Sequence, residues 1–256
     1  MSIITLGNAA GSAGKSTSTV ELSALSVQAG LSVLVVDADA QATATKWLDA
    51  NPTPGHPTIA DVLLAPLGTG HDVARRAILH TPSGVDVIPS TTSLDGDANR
   101  LLGVTSPEKR LKLALTSLKQ EYDLIIIDCP GALSVITVGA LIAADKAVTV
   151  SVPTRKEIEG VPRWLQLVDE IRIAENPTLE NVAIIPCMVP PSNGGKKYIE
   201  DMELLTTQWP TQCTPPIRRS VDVPTALAGH HPLPTTSKVS KDYEAVRVWL
   251  VDRGIL

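Results

Sequence analysis

IITLGNAAGSAGKSTSTVELSALSVQAG, residues 3–30, sets the architecture. Ile3–Leu6 is a short apolar run that stops at a glycine-rich turn, as a buried strand does. From Ser16 to Ala29, apolar residues recur at helical spacing. Val20, Ala24 and Val27 fall on one face, and Leu22, Leu25 and Ala29 on another. A helix apolar on most sides packs on a sheet, and Gly30 ends it as a C-terminal cap.

Strand, glycine-rich turn and helix in that order are the setting of a phosphate-binding loop. In GNAAGSAGKST, Gly7–Thr17, the backbone N–H groups of Gly11, Ser12, Ala13, Gly14, Lys15, Ser16 and Thr17 would cradle anionic phosphates at the helix N-terminus. Lys15 would reach the β- and γ-phosphates, and the Ser16 hydroxyl would ligate Mg²⁺. Gly11 and Gly14 permit a backbone approach that a Cβ would block. The strict spacing asks for glycine where Ala9 stands, so a plain tight turn is the competing reading of this stretch alone.

Two later segments favour the phosphate site. The continuous β-branched run Leu31–Val36 leads into VVDADAQAT, which places Asp37, Asp39 and Gln41 at the C-terminal edge of a strand, the edge where open parallel sheets bind ligands. Asp39 is expected to position or deprotonate a water attacking the γ-phosphate, and Asp37 to lie near the metal shell. Either acid would also serve as a helix cap. Farther on, YDLIIIDCPG (residues 122–131) is a buried strand tipped by Asp128. A carboxylate so placed holds Mg²⁺ through water. Gly131 leaves room for the γ-phosphate.

The remaining chain alternates strand and helix. Strands are expected at Val85–Ile88, Leu124–Ile127, Ala147–Val152 and Val182–Ile185. Helices are expected from Ser106, with that serine as N-cap and Leu111, Leu115 and Leu118 as its buried stripe, and over Ser134–Ala143, Lys156–Ile173, Lys196–Thr207 and Lys241–Asp252. The proline-rich stretch from Pro186 to Pro234 reads as loop-rich. This alternation predicts an α/β fold, a doubly wound and mostly parallel sheet flanked by helices, as one domain over residues 1–256.

Composition agrees. Of 256 residues, 43% are hydrophobic, yet there are four Trp, three Tyr and no Phe, so the core is aliphatic, as a sheet buried on both faces requires. The net charge of −5 excludes a protein that coats nucleic acid by bulk charge, though not a local basic patch. Cys129, Cys187 and Cys213 are too widely spaced for a disulfide framework or a metal-ligand pair. The five histidines fit no metal spacing. No secretory signal or membrane-spanning run is visible, so the expectation is a soluble cytoplasmic protein.

AGSAGKST, DADAQAT, IIIDCPG and RKEIEGV resemble the deviant-Walker-A ATPases of the ParA/MinD type. The likeness runs through nearly the whole chain and is weakest over residues 51–99 and beyond Pro186. It implies a P-loop NTPase fold and ATP hydrolysis with Mg²⁺. Lys15 would be the loop lysine, Ser16 the metal ligand, Asp39 the hydrolytic aspartate and Asp128 the Walker B acid, with Ser16, Asp39 and Asp128 forming the metal site. It further implies a homodimer formed on ATP binding, non-specific binding to nucleoid DNA, and a cargo-adaptor protein that stimulates the ATPase. The cargo would be a plasmid or chromosome segment, or a carboxysome. In PPIRRSVDVP, Pro216 and Arg218 resemble the family's base-side contacts. Lys196, Lys197, Arg218, Arg219, Lys238, Lys241 and Arg247 are the candidate DNA contacts.

The sequence departs from the family at Ala10, where a lysine normally crosses to the partner's phosphates. Three readings stand: a substitute cation, with Arg155 and Lys156 nearest the nucleotide edge; a lysine changed to alanine; or nucleotide binding without crossing contacts. The first is preferred, because the carboxysome-positioning McdA group also lacks that lysine. A membrane-bound MinD-like role is disfavoured by the mixed-charge terminal helix. The other classes are a metabolic ATP-dependent ligase and a nucleotide-binding scaffold without hydrolysis. Turnover separates the scaffold, and a requirement for a small acid substrate separates the ligase.

Overall fold

The computed structural model describes residues 1–8, 14–190 and 196–256. The chain runs β1 (Ser2–Gly7), α1 (Lys15–Gln28), β2 (Val33–Asp37), α2 (Thr43–Trp47), α3 (Ile59–Leu64), α4 (Gly70–Ala77), β3 (Leu79–His80), β4 (Asp86–Ile88) and α5 (Leu94–Leu101). It continues with α6 (Arg110–Leu115), β5 (Leu124–Asp128), α7 (Val135–Ala143), β6 (Lys146–Ser151), α8 (Arg155–Ala174), β7 (Glu180–Pro186), α9 (Lys196–Gln208), α10 (Asp222–Ala228) and α11 (Lys238–Val251). The strands form one sheet in the order β3-β4-β2-β5-β1-β6-β7. Every pairing is parallel except β3 with β4.

The sheet is buried on both faces, and the two-residue period of a strand sorts its side chains. Ile3, Leu34, Val36, Ile125 and Ile127 join the core formed with α3, α4, α6, α7 and α8. Their neighbours Ile4, Leu6, Val33, Val35, Leu124 and Ile126 join the core formed with α1, α2, α10 and α11. Full burial of each such aliphatic side chain contributes roughly 1.5–3 kcal/mol. The register sets Leu6 and Asp37 beside Asp128 on the neighbouring strands, so the ends of β1, β2 and β5 lie together. β1 closes on a glycine because the Trp164 indole of α8 occupies the space a Cβ on Gly7 would need.

Three expectations are corrected. Ser106 does not cap through its side chain. Its backbone is left-handed (φ 48°), and residues 107–109 form a 3₁₀ turn before α6 begins. Leu111, Leu115 and Leu118 are buried as expected, but Leu118 belongs to a separate 3₁₀ turn after the helix. The mostly parallel sheet has one antiparallel pairing at its edge, and residues 222–228, within the stretch expected to be loop-rich, are helical.

Candidate functional site

Helix α1 starts at Lys15, and its N-cap, Gly14, takes the left-handed conformation (φ 92°) that glycine adopts without strain. A Cβ there would stand 3.4 Å from Cβ of Cys187. The Gly14 carbonyl accepts the Ser18 N–H at 2.9 Å, closing the first turn. Lys15 is 6% exposed, and its ammonium donates to Oδ1 of Asn8 at 3.2 Å. Asn8 is fixed in turn by donating to the Val150 carbonyl at 2.8 Å, which ties the end of β1 to β6. The loop residues Ala9, Ala10, Gly11, Ser12 and Ala13 lie outside the described residues.

Asp128, at the tip of β5, is fully buried. Thr19 donates to its Oδ1 at 3.3 Å, and the Ser16 hydroxyl also bonds it. Oδ2 has no partner among the described residues. Burial raises the Asp128 pKa, and the Asp37 charge raises it further; the Ser16 bond and the Lys15 charge pull the other way. A buried carboxylate oxygen with no partner, beside a serine hydroxyl and an ammonium, fits a hydrated divalent cation that arrives with phosphate. Among the described residues, no set of three Asp, Glu, His or Cys side chains is placed to hold a metal without phosphate. Ser16 and Asp128 are thus placed to share the coordination with a triphosphate.

Asp37 does something else. Its Oδ2 accepts both the N–H and the hydroxyl of Thr45 (2.8 and 2.7 Å), and its Oδ1 accepts the Asp39 N–H at 3.2 Å. Asp37 lies beside Asp128 on the neighbouring strand, and these bonds also anchor α2 and shape the Asp39 turn. Asp39 itself is half-buried, with Oδ1 accepting the Gln41 N–H at 2.9 Å. Asp39 lines a cleft of about 550 Å³ together with Lys15, Ser16, Thr17, Gln41, Pro130 and Gly131. Asp95, at the start of α5, also lines it and was not anticipated.

A second cleft of about 440 Å³ adjoins the first and shares Gly14, Thr17 and Met188 with it. Its other walls include Cys187, Ile217, Arg219, Ser220, Val221, Pro224 and Tyr243, none of them singled out in the sequence as nucleotide contacts. Arg218 lines it as expected, but its guanidinium is paired with the Asp242 carboxylate (2.5 and 2.6 Å). Pro216 is exposed and is not part of the wall; the buried Ile217 takes that place.

Arg155 and Lys156 open α8 after β6, exposed and at the same sheet edge as the clefts but lining neither. Arg155 donates to Glu159 at 2.8 Å, a surface pair of small energetic weight. Of the candidate DNA contacts, Arg247 is 15% exposed at its side chain and paired with Glu244. Lys197, Arg219, Lys238 and Lys241 are exposed, and Lys196 is exposed beside Glu200.

Residues 1–181 match the AAA_31 family model, described as an AAA domain. The sporulation initiation inhibitor protein Soj of Bacillus subtilis is 36% identical over 173 residues, 68% of this chain and 66% of Soj. The aligned stretch thus spans about two thirds of the relative's length. In fold, the chain is similar to cobyrinic acid a,c-diamide synthase from Mycobacterium smegmatis, solved with an ATP analog and magnesium (TM-score 0.83, 23% identity, 99% of this chain and 96% of that one). It is also similar to apo McdA from Cyanothece (TM-score 0.86, 22% identity, 98% and 99%).

Proposed function

The chain belongs to the AAA_31 family, among the P-loop ATPases of the ParA/MinD type, and from that premise we propose that it hydrolyses ATP, dimerises on binding it, and positions intracellular cargo along DNA. The observation that carries this reading is the convergence of Lys15, Ser16, Asp39 and Asp128 at one sheet edge, beside a cleft that continues into a second one.

Phosphates enter the first cleft against the N-terminus of α1, whose dipole favours anions. Lys15 supplies a buried positive charge, stronger there than in water because little solvent screens it. Magnesium, when bound, neutralises phosphate charge. Ser16 and Asp128 would hold it. Asp39 stands at the exposed side of the phosphate cleft, oriented by its bond from the Gln41 N–H, where it can align a water and accept its proton.

Ala10 removes the crossing lysine, so Arg155 or Lys156 of the partner subunit would supply that charge from the start of α8. Alanine substitution of each, followed by light scattering with ATP, tests this. Unchanged dimerisation in both variants removes the substitute-cation reading.

The dimer would display two copies of Lys196, Lys197, Arg219, Lys238 and Lys241, doubling a patch that one copy presents weakly. A cargo-adaptor protein would stimulate hydrolysis and release the dimer; the cargo would be a carboxysome, a plasmid or a chromosome segment, on the nucleoid in the cytoplasm. One observation supports DNA rather than a membrane as the surface. Helix α11 turns Val239, Tyr243, Val246 and Leu250 into the core. The deciding experiment measures phosphate release with Mg-ATP alone, then with DNA. Turnover that appears only with a small acid substrate would instead favour a ligase.

A further inference from the structure

Met188 has a backbone that methionine rarely adopts. Its φ is 55°, in the left-handed region where a side chain meets its own backbone. The strain is imposed from both sides. Cys187 donates its N–H to Ser151 on β6 at 2.8 Å, and Val189 donates to Ile217 at 2.9 Å while accepting from Arg219 at 2.8 Å. Two pinned neighbours leave residue 188 to absorb the turn. Strained residues of this kind cluster at ligand clamps.

The side chain stands at the joint of the two clefts. Met188 lines both of them. Its terminal methyl lies 3.9 Å from where a Cβ on Gly14 would be, directly over the N-cap of α1, and it remains 38% exposed. A molecule with phosphates in the first cleft and a base in the second must lay its sugar across Gly14 and Thr17, beneath this methionine.

We propose that Met188 is the clasp on the sugar of the bound nucleotide, a positioning residue that couples the phosphate cleft to the base cleft. The proposal rests on the nucleotide reading above and goes beyond it in assigning the sugar subsite. An unbranched thioether suits the role, because it is polarizable and adapts its shape to a ligand face.

The test compares wild type, Met188→Gly and Met188→Leu, using calorimetric titration with Mg-ADP and with Mg-pyrophosphate, and the melting temperature of the ligand-free chain. Glycine removes the clasp and relieves the backbone, so the ligand-free melting temperature stays level or rises. Mg-ADP affinity falls about tenfold, as for loss of one buried apolar contact. Pyrophosphate affinity, which needs only the first cleft, is unchanged, and leucine restores most of the ADP affinity. Mg-ADP binding by Met188→Gly equal to wild type would overturn the assignment. So would an equal loss for pyrophosphate, which would mark general damage to the loop. A wild-type chain that binds pyrophosphate but not Mg-ADP would refute the base and sugar subsites together, and one that binds neither would refute the nucleotide reading itself.

Discussion

Lys15 is an ammonium nearly removed from water, and the acids deepest beside it, Asp37 and Asp128, have carboxyls shifted toward the neutral form by burial. Replacing Lys15 with alanine removes the only charge-matched donor that α1 offers to phosphate at this position. ATP affinity in Lys15→Ala is expected to fall at least about tenfold by titration, the loss of a charge-assisted contact of about 1.5–3 kcal/mol or more. Asp39→Ala is expected to bind ATP normally and to lose about 10²-fold or more in phosphate release, since a positioned base contributes on that scale. Normal turnover in that variant would remove Asp39 from the chemistry. The two aspartates of DAD also show how far the sequence could be read. Two residues apart, they would share a face if the strand ran on, but β2 ends at Asp37 and Asp39 lies in the turn beyond it. Which of them meets the ligand depends on Thr45, whose N–H and hydroxyl saturate Asp37 from a helix the sequence does not show closing back on it.

Among the elements, α1 carries a buried acid of its own. Glu21 is 1% exposed, its Oε1 accepts the Leu233 N–H at 2.9 Å, and burial pushes its pKa up from 4.5 to about 7. The folded chain therefore binds a proton more tightly than the unfolded one. The stabilisation is complete below pH 4.5 and is lost as pH rises toward 7, by on the order of 3 kcal/mol. Glu21→Gln keeps an oxygen for Leu233 without a charge. It is expected to melt above wild type at pH 8 and to approach it at pH 5; parallel melting curves across that range would contradict the assignment. Asn176 closes α7 from outside, donating its amide to the carbonyls of Leu141, Ile142 and Ala144 (3.1, 3.2 and 2.7 Å). Asn176→Ala leaves those buried acceptors unmet and is expected to cost about 1–3 kcal/mol in denaturant unfolding.

The elements the sequence missed share a cause. Leu79–His80 is too short to show any period, and LDGDANRL carries helix-poor Gly, Asp and Asn, yet Leu94 and Leu101 dock it on the sheet. The long apolar strands were legible because burial on both faces leaves nothing polar to interrupt them.

For the whole molecule, a seven-stranded sheet brings the tips of β1, β2 and β5 to one edge, and that edge carries both clefts and the start of α8. Lys15, Asp39 and Asp128 could be read as neighbours from the sequence because a parallel sheet aligns its C-terminal ends. The resemblance pointed to the 215–224 segment, but the cleft it lines is completed by Gly14 before α1, the turn after β7 and Tyr243 of α11, distant stretches with no shared pattern. DNA binding is expected to need ATP and to weaken steeply with salt, with a log–log slope of about −0.9 per phosphate contacted. Filter binding at several salt concentrations, with and without ATP, measures this, and nucleotide-independent binding would count against the dimer as the DNA-bound form.

The most direct test of the nucleotide site is calorimetric titration of Mg-ATP into wild type and Lys15→Ala. Saturable binding of one nucleotide per chain in wild type, absent in the variant, is the expected result. Equal binding in both, or none in wild type, would contradict the site described around Lys15.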